Sequence, residues 1–115
     1  MSPPFDNGPA ACRDELLARY RHLTTKLLPA RAAREGWPVR ADHCFQRIVL
    51  DHAVGAAWKT VLAGRGPAWQ QLDDAQLSAA VRIAQSIDAE GVNMLQRLNA
   101  QSLMWRGKKQ RSVGP

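Results

Sequence analysis

Residues 73–91 of the 115-residue chain, DDAQLSAAVRIAQSIDAEG, decide the fold. Asp73 is placed to cap a helix, because its carboxylate can accept a hydrogen bond from the backbone of Gln76, whose side chain can return one to Asp73. Apolar residues then recur at helical spacing: Leu77, Ala80, Val81, Ala84 and Ile87. This stripe predicts an amphipathic helix packed against a core, and Gly91 is a residue type that commonly ends one.

The segment after Gly91 predicts a last helix that reaches Trp105. Its residues at helical spacing on one face are Leu95, Leu98, Ser102 and Trp105. Residues three and four positions apart lie side by side on a helix, so this face can pack against the core. An alternative is that the helix from residue 73 continues through Gly91 without a break.

A first helix is predicted upstream, beginning near Pro9. Its apolar residues are spaced three or four apart: Leu16, Tyr20, Leu23 and Leu27. Proline disfavours the helical conformation of the residue before it, so Pro29 is expected to end or kink this helix at Leu28. Residues 30–34 then form at most another short turn before Gly36.

We expect Asp42 to cap a central helix, because Asp is a favoured N-cap residue. Apolar residues surround most of the helix: Phe45, Ile48, Val49, Leu50, Val54, Trp58 and Leu62. Gly55 interrupts the pattern and leaves two alternatives, one bent helix to Leu62 or two pieces that meet at Gly55. Pro67 can then start a single helical turn through Leu72.

The domain organisation follows from these elements. The alternation of apolar and polar residues that marks strands is absent from the sequence. We predict an all-α fold, a single compact domain of four to five helices over residues 9–105. Residues 1–8 are predicted to be a flexible lead-in, and residues 106–115 a disordered basic tail.

Composition limits the classes of function. Sixteen Lys and Arg residues against ten Asp and Glu give a net charge of +6, with the excess in the N-terminal half and the tail. No segment approaches the roughly 18 apolar residues of a membrane span, so we expect no membrane partner. The N-terminus resembles no secretory signal, and we expect a cytoplasmic protein with Cys12 and Cys44 as free thiols.

Polar residues concentrate on the central helix and raise the question of a metal or thiol-enzyme site. His43 and His52 are nine positions apart, about 13 Å along a helix, too far to share one ion. Cys44 has no base at helical spacing, because His43 points about 100° away around the helix. We therefore expect no metal, no cofactor and no catalytic residue, and favour a protein that is not an enzyme.

One row of this helix could bind a ligand instead. His43, Arg47 and Asp51 are spaced one turn apart, and the spacing predicts a direct ion pair between Arg47 and Asp51. If the row faces a neighbouring helix it fixes packing, and if it faces a cleft it can bind a carboxylate or phosphate. The candidate ligand-binding residues are His43, Arg47, Asp51, His52 and Trp58.

A second set of residues could contact a polyanion. The chain has four tryptophans, each beside an Arg, Lys or Pro, and such rings can stack on bases or anchor a protein interface. The candidate polyanion-binding residues are Arg13, Arg19, Arg21, Arg106, Lys108, Lys109 and Arg111.

Three functions remain open, each with its own structural signature. The favoured one is a non-catalytic helical module that binds a protein partner or a second copy of itself, which predicts an exposed apolar patch. Nucleic-acid or polyanion binding predicts that the cations before residue 66 form one face continuous with the tail. A small-ligand binder or enzyme predicts a pocket where His43, Arg47 and a tryptophan converge.

Overall fold

A computed structural model describes residues 12–62, 64 and 66–107. Its elements, in chain order, are α1 (Arg13–His22), a π-helical turn (Leu23–Leu27), α2 (Leu28–Glu35), α3 (Asp42–Val54), α4 (Trp58–Val61), α5 (Ala68–Gln71), α6 (Asp74–Glu90) and α7 (Val92–Trp105). No strand occurs in these residues, which confirms the predicted all-α compact fold. The lead-in at 1–8 and the tail from Lys108 onward lie outside the described residues.

Helix α6 forms as its sequence predicts. The Asp73 carboxylate accepts from the backbone N–H of Gln76 at 2.7 Å, and the Gln76 side chain accepts from the Asp73 N–H at 2.9 Å. The predicted apolar stripe is buried. Gly91 ends the helix with φ 82°, a conformation that glycine adopts readily, so α7 is a separate helix.

Pro29 does not end the first long helix at Leu28, which was one of the two predicted outcomes, because the chain continues as a helix to Glu35. The chain widens into the π turn just before Pro29, where Leu28 N–H bonds to the carbonyl of Leu23 five residues back. The hydroxyls of Thr24 and Thr25 donate to the carbonyls one turn before them, at 2.9 and 2.6 Å. Pro29 therefore lies in the first turn of α2, where a missing N–H is tolerated.

Helix α3 lies at the centre, with α6, α7 and the π turn packed against it. Ala41, not Asp42, occupies the N-cap position, and Asp42 is the first helical residue, where its carboxylate is still favourable near the helix N-terminus. Gly55 ends α3 with φ 80°, so the alternative of two pieces holds and α4 begins at Trp58. No helix in the described part of the chain is long and apolar enough to span a membrane.

Candidate ligand-binding cleft

A cleft of about 390 Å³ lies between the first helix, α3 and the two short helices α4 and α5. Helix α3 contributes four side chains to its wall: His43, Gln46, Arg47 and Leu50. Their spacing places them on one face of the helix, because residues three and four apart are neighbours on its surface. The opposite face of α3 is buried in the core through Ile48 and Val49.

The short helices form the other side of the cleft with Trp58, Lys59, Ala68 and Trp69. Helix α4 has only four residues, and its first N–H, at Trp58, donates to the carboxylate of Asp51 at 2.9 Å. This tertiary bond replaces a local N-cap and fixes the indole of Trp58 beside α3.

Arg47 is half-buried in the cleft wall. Its guanidinium donates to the Ser102 hydroxyl at 2.6 Å and to the Asn99 side-chain oxygen at 2.7 Å. None of its N–H groups bonds a carboxylate within the described residues, so the predicted Arg47–Asp51 ion pair is wrong. Burial lowers the pKa of Arg47, which shows that the surroundings only partly replace the lost hydration of this cation.

Asp51 lies behind the cleft and is fully buried. It accepts from Arg106 through both oxygens, at 2.8 and 2.9 Å, and from the Ser102 hydroxyl at 2.6 Å. Burial alone would raise the pKa of the Asp51 carboxyl, but the hydrogen bonds from Arg106, Ser102 and the Trp58 N–H hold it below its ordinary value. These donors come from α7 and α4, and they outcompete the arginine one turn away on α3.

Tyr20 of α1 also lines the cleft. Its hydroxyl is buried and has no hydrogen-bond partner among the described residues. Burial raises the pKa of Tyr20 above its ordinary value, so the hydroxyl stays protonated and keeps a donor. Buried polar groups are nearly always paired, and this hydroxyl is an exception.

The charge of the cleft is positive. Its lining contains Arg47, Lys59 and Arg106 and no carboxylate. Asp51 compensates Arg106 from behind, so the two guanidinium groups and this one carboxylate leave a net charge of +1 before Lys59 is counted. Such a cleft attracts an anion.

The structure brings three of the five candidate ligand-binding residues to the cleft, namely His43, Arg47 and Trp58. Asp51 supports it from behind. His52 lies elsewhere, with its ring nitrogen 2.8 Å from the carbonyl oxygen of Leu98 and its ring edge against Trp105.

Among the polar and aromatic residues of the wall, sequence reasoning missed four: Tyr20, Gln46, Lys59 and Trp69. Tyr20 belongs to the apolar stripe of the first helix and was assigned to the core. Gln46 could have been found, because it shares a helix face with His43 and Arg47. The contributions of Lys59 and Trp69 depend on how two short helices fold back, which the spacing of residues does not reveal.

The candidate polyanion-binding residues fall into different surroundings. Arg13 donates to the Asp74 carboxylate at 2.8 Å and to the Leu72 carbonyl at 2.6 Å. Arg21 lies over the ring of Trp69, Arg19 is half-buried on α1, and Arg106 holds Asp51 at the end of α7 instead of belonging to a tail. The remaining candidates, Lys108, Lys109 and Arg111, lie outside the described residues.

Outside the cleft, the described residues form few other candidate binding sites. Its large exposed hydrophobic residues are Val61 and Met104. Among the same residues no group of three or more His, Cys, Asp or Glu side chains could hold a metal ion. Comparisons of the chain with protein-family models, curated proteins and solved structures find no match.

Proposed function

We propose that the protein is a non-catalytic binding module whose cleft takes a small organic anion. The observation that carries this proposal is Arg47, a half-buried cation with no carboxylate partner within the described residues. An anionic ligand would supply that partner. A hydrogen bond between charged groups contributes about 1.5–3 kcal/mol, which strengthens binding by roughly 10- to 150-fold.

The size and chemistry of the cleft support this function. Its volume of about 390 Å³ lies within the range of small-molecule sites. Apolar surface comes from Leu50 and the two indoles, and polar groups converge among them, as is typical of ligand pockets. The lining contains no Ser, Thr or Cys nucleophile and no carboxylate base, which favours binding over catalysis.

The two other functions have less support. Binding to a protein partner or a second copy predicts a continuous exposed apolar patch, whereas Val61 and Met104 are single exposed residues on different helices. Polyanion binding needs cations that are available, and Arg13 and Arg106 are already bonded to Asp74 and Asp51.

Calorimetric titration with phenyl phosphate tests the proposal, with benzyl alcohol as an uncharged aromatic probe of similar size. We expect phenyl phosphate to bind and benzyl alcohol to bind at least tenfold more weakly. Arg47→Met keeps most of the side-chain volume and removes the charge, and we expect it to weaken phenyl phosphate binding at least tenfold, the equivalent of about 1.4 kcal/mol.

The matched control is Arg97→Ala. Arg97 is exposed on α7, lies outside the cleft and contributes the same charge to the whole molecule. We expect this variant to bind phenyl phosphate as the unaltered protein does. Equal losses in the two variants would mean that only net charge matters, and no preference for phenyl phosphate over benzyl alcohol would overturn the proposal. Lys59→Met, an exposed change within the cleft, repeats the test if Arg47→Met does not fold.

A further inference from the structure

Building on the proposed anion site, we infer that its ligand is a nucleotide, a phosphate that carries a planar base. Two indole rings, those of Trp58 and Trp69, border the same cleft as Arg47. A simple anion such as phosphate or a short carboxylate cannot stack on an aromatic ring. A planar heteroaromatic ring can, and every base is able to stack on an indole.

Each indole already carries a cation over its ring. The Lys59 ammonium lies 5.7 Å from the centroid of the Trp58 ring, and the Arg21 guanidinium lies 5.5 Å from the centroid of the Trp69 ring. Each cation covers one face of its indole, which leaves the other face for a base and places a positive charge close to it. Positive charge next to aromatic rings is typical of sites that bind bases together with their phosphates.

A neutral polar group in the cleft, the side-chain amide of Gln46, is free to contact the edge of a base. Gln46 is half-buried and forms no hydrogen bond with another described residue. A glutamine amide offers a donor and an acceptor side by side, the pattern that the edge of a base requires. The phosphate would be held by Arg47, which also lines the cleft.

The volume of the cleft supports one nucleotide as the bound unit. About 390 Å³ is near the lower end of small-molecule sites, enough for a base, a sugar and one phosphate. The same unit occurs as a free nucleotide or within a single strand. The shared chemistry is a stacked base next to a phosphate, and the experiment separates the two sources.

The test compares adenosine 5′-monophosphate with its two halves, ribose 5-phosphate and adenosine, by calorimetry and by quenching of tryptophan fluorescence. We expect the nucleotide to bind at least tenfold more tightly than ribose 5-phosphate, since stacking of one base on an aromatic ring is typically worth that factor. We also expect adenosine to bind at least tenfold more weakly than the nucleotide, because it lacks the phosphate.

The variant Trp58→Leu removes one stacking surface. We expect it to reduce the preference for the nucleotide over ribose 5-phosphate by at least fivefold. Trp105→Leu is the matched control, because Trp105 packs against His52 outside the cleft. We expect the control to keep the full preference. Trp69→Leu provides the same test if Trp58→Leu does not fold.

The outcomes distinguish the nucleotide inference from the proposed anion site on which it rests. If phenyl phosphate binds through Arg47 but the nucleotide binds no better than ribose 5-phosphate, the nucleotide inference is wrong and the anion site stands. If neither phosphate compound binds, both are wrong. A ten-residue oligothymidylate that binds at least tenfold more tightly than thymidine 5′-monophosphate, with the gain reduced by Trp58→Leu, identifies a single strand as the source. If the oligothymidylate and thymidine 5′-monophosphate bind with equal affinity per nucleotide, the free nucleotide is the source.

Discussion

Two arginines, Arg31 of α2 and Arg47 of α3, show how charge compensation separates a structural site from a binding site. Arg31 of α2 bonds Glu35 through two nitrogens, at 2.8 and 3.2 Å, and also bonds the carboxylate and carbonyl oxygen of Asp88. Its guanidinium lies 4.9 Å from the centroid of the Trp37 ring. Nearly every donor is therefore used.

Arg47 also has a tryptophan nearby, because Trp58 lines the same cleft. The hydrogen bonds of Arg47, however, go to a hydroxyl and an amide oxygen and not to carboxylates. The one buried carboxylate nearby, Asp51, is held by Arg106. The comparison teaches that an arginine near a tryptophan is a structural clamp when carboxylates neutralise it, and a candidate ligand contact when they do not.

The largest expected effect comes from removing the carboxylate beside the cleft. Asp51→Asn keeps the shape of the side chain and leaves Arg106 without its compensating charge. We expect the free energy of unfolding to fall by about 3–5 kcal/mol, as when one partner of a buried ion pair is lost. Urea denaturation followed by circular dichroism measures it.

Asp74→Asn is the control for that change, because the Asp74–Arg13 pair is exposed. We expect it to cost less than about 1 kcal/mol. A comparable loss in both variants would show that burial of the Asp51 carboxylate is not what makes it important.

A smaller effect distinguishes the two arginines directly. We expect Arg31→Met to lower the free energy of unfolding by about 1 kcal/mol, because it removes bonds to two carboxylates, and to leave phenyl phosphate binding unchanged. Arg47→Met should have the opposite profile, a smaller loss of stability and a large loss of binding. Urea denaturation and calorimetry of both variants measure this. Weaker binding in Arg31→Met would contradict the division into clamp and ligand contact.

The smallest expected effect is a shift in the titration of Glu35. Its hydrogen bond from Arg31 holds the pKa of Glu35 below the ordinary value of 4.5. The stability from this pair is complete above pH 4.5 and is lost as pH falls through the lower pKa of the folded state. In Arg31→Met we expect the pKa of Glu35 to rise towards 4.5, and in Arg47→Met we expect no change. Carboxyl titration by nuclear magnetic resonance measures the pKa of Glu35 in both variants. An unchanged pKa in Arg31→Met would show that the hydrogen bond from Arg31 is not what lowers it.

The sequence could predict those parts of the fold that rest on local chemistry. The pairing of Asp73 with Gln76 and the glycines at 36, 55 and 91 mark helix ends that the structure contains. Such signals act over a few residues and depend little on the rest of the chain. The same reasoning did not predict that the chain continues as a helix past Pro29, through a π turn that precedes it.

The site was harder to predict for a related reason. Spacing placed Arg47 one turn before Asp51, but the partners that decide both charges come from α7, more than fifty residues later. An i, i+4 pair contributes a few tenths of a kcal/mol, and a bidentate bond from Arg106 exceeds it. Helical spacing therefore showed which residues share a face, and tertiary donors determined what that face could bind.

The π turn has one further consequence, which concerns the phase of the helix. Buried positions before it follow helical spacing at Leu16, Tyr20 and Leu23, and after it at Leu28 and Ala32. The interval from Leu23 to Leu28 is five residues, one more than an α-helix would use. Each residue of an α-helix turns it by about 100°, and the widened turn absorbs this extra rotation. The π turn thus acts like a one-residue insertion whose rotation is cancelled locally. A deletion there would restore a regular helix and leave Tyr20 and Leu28 on the same buried face.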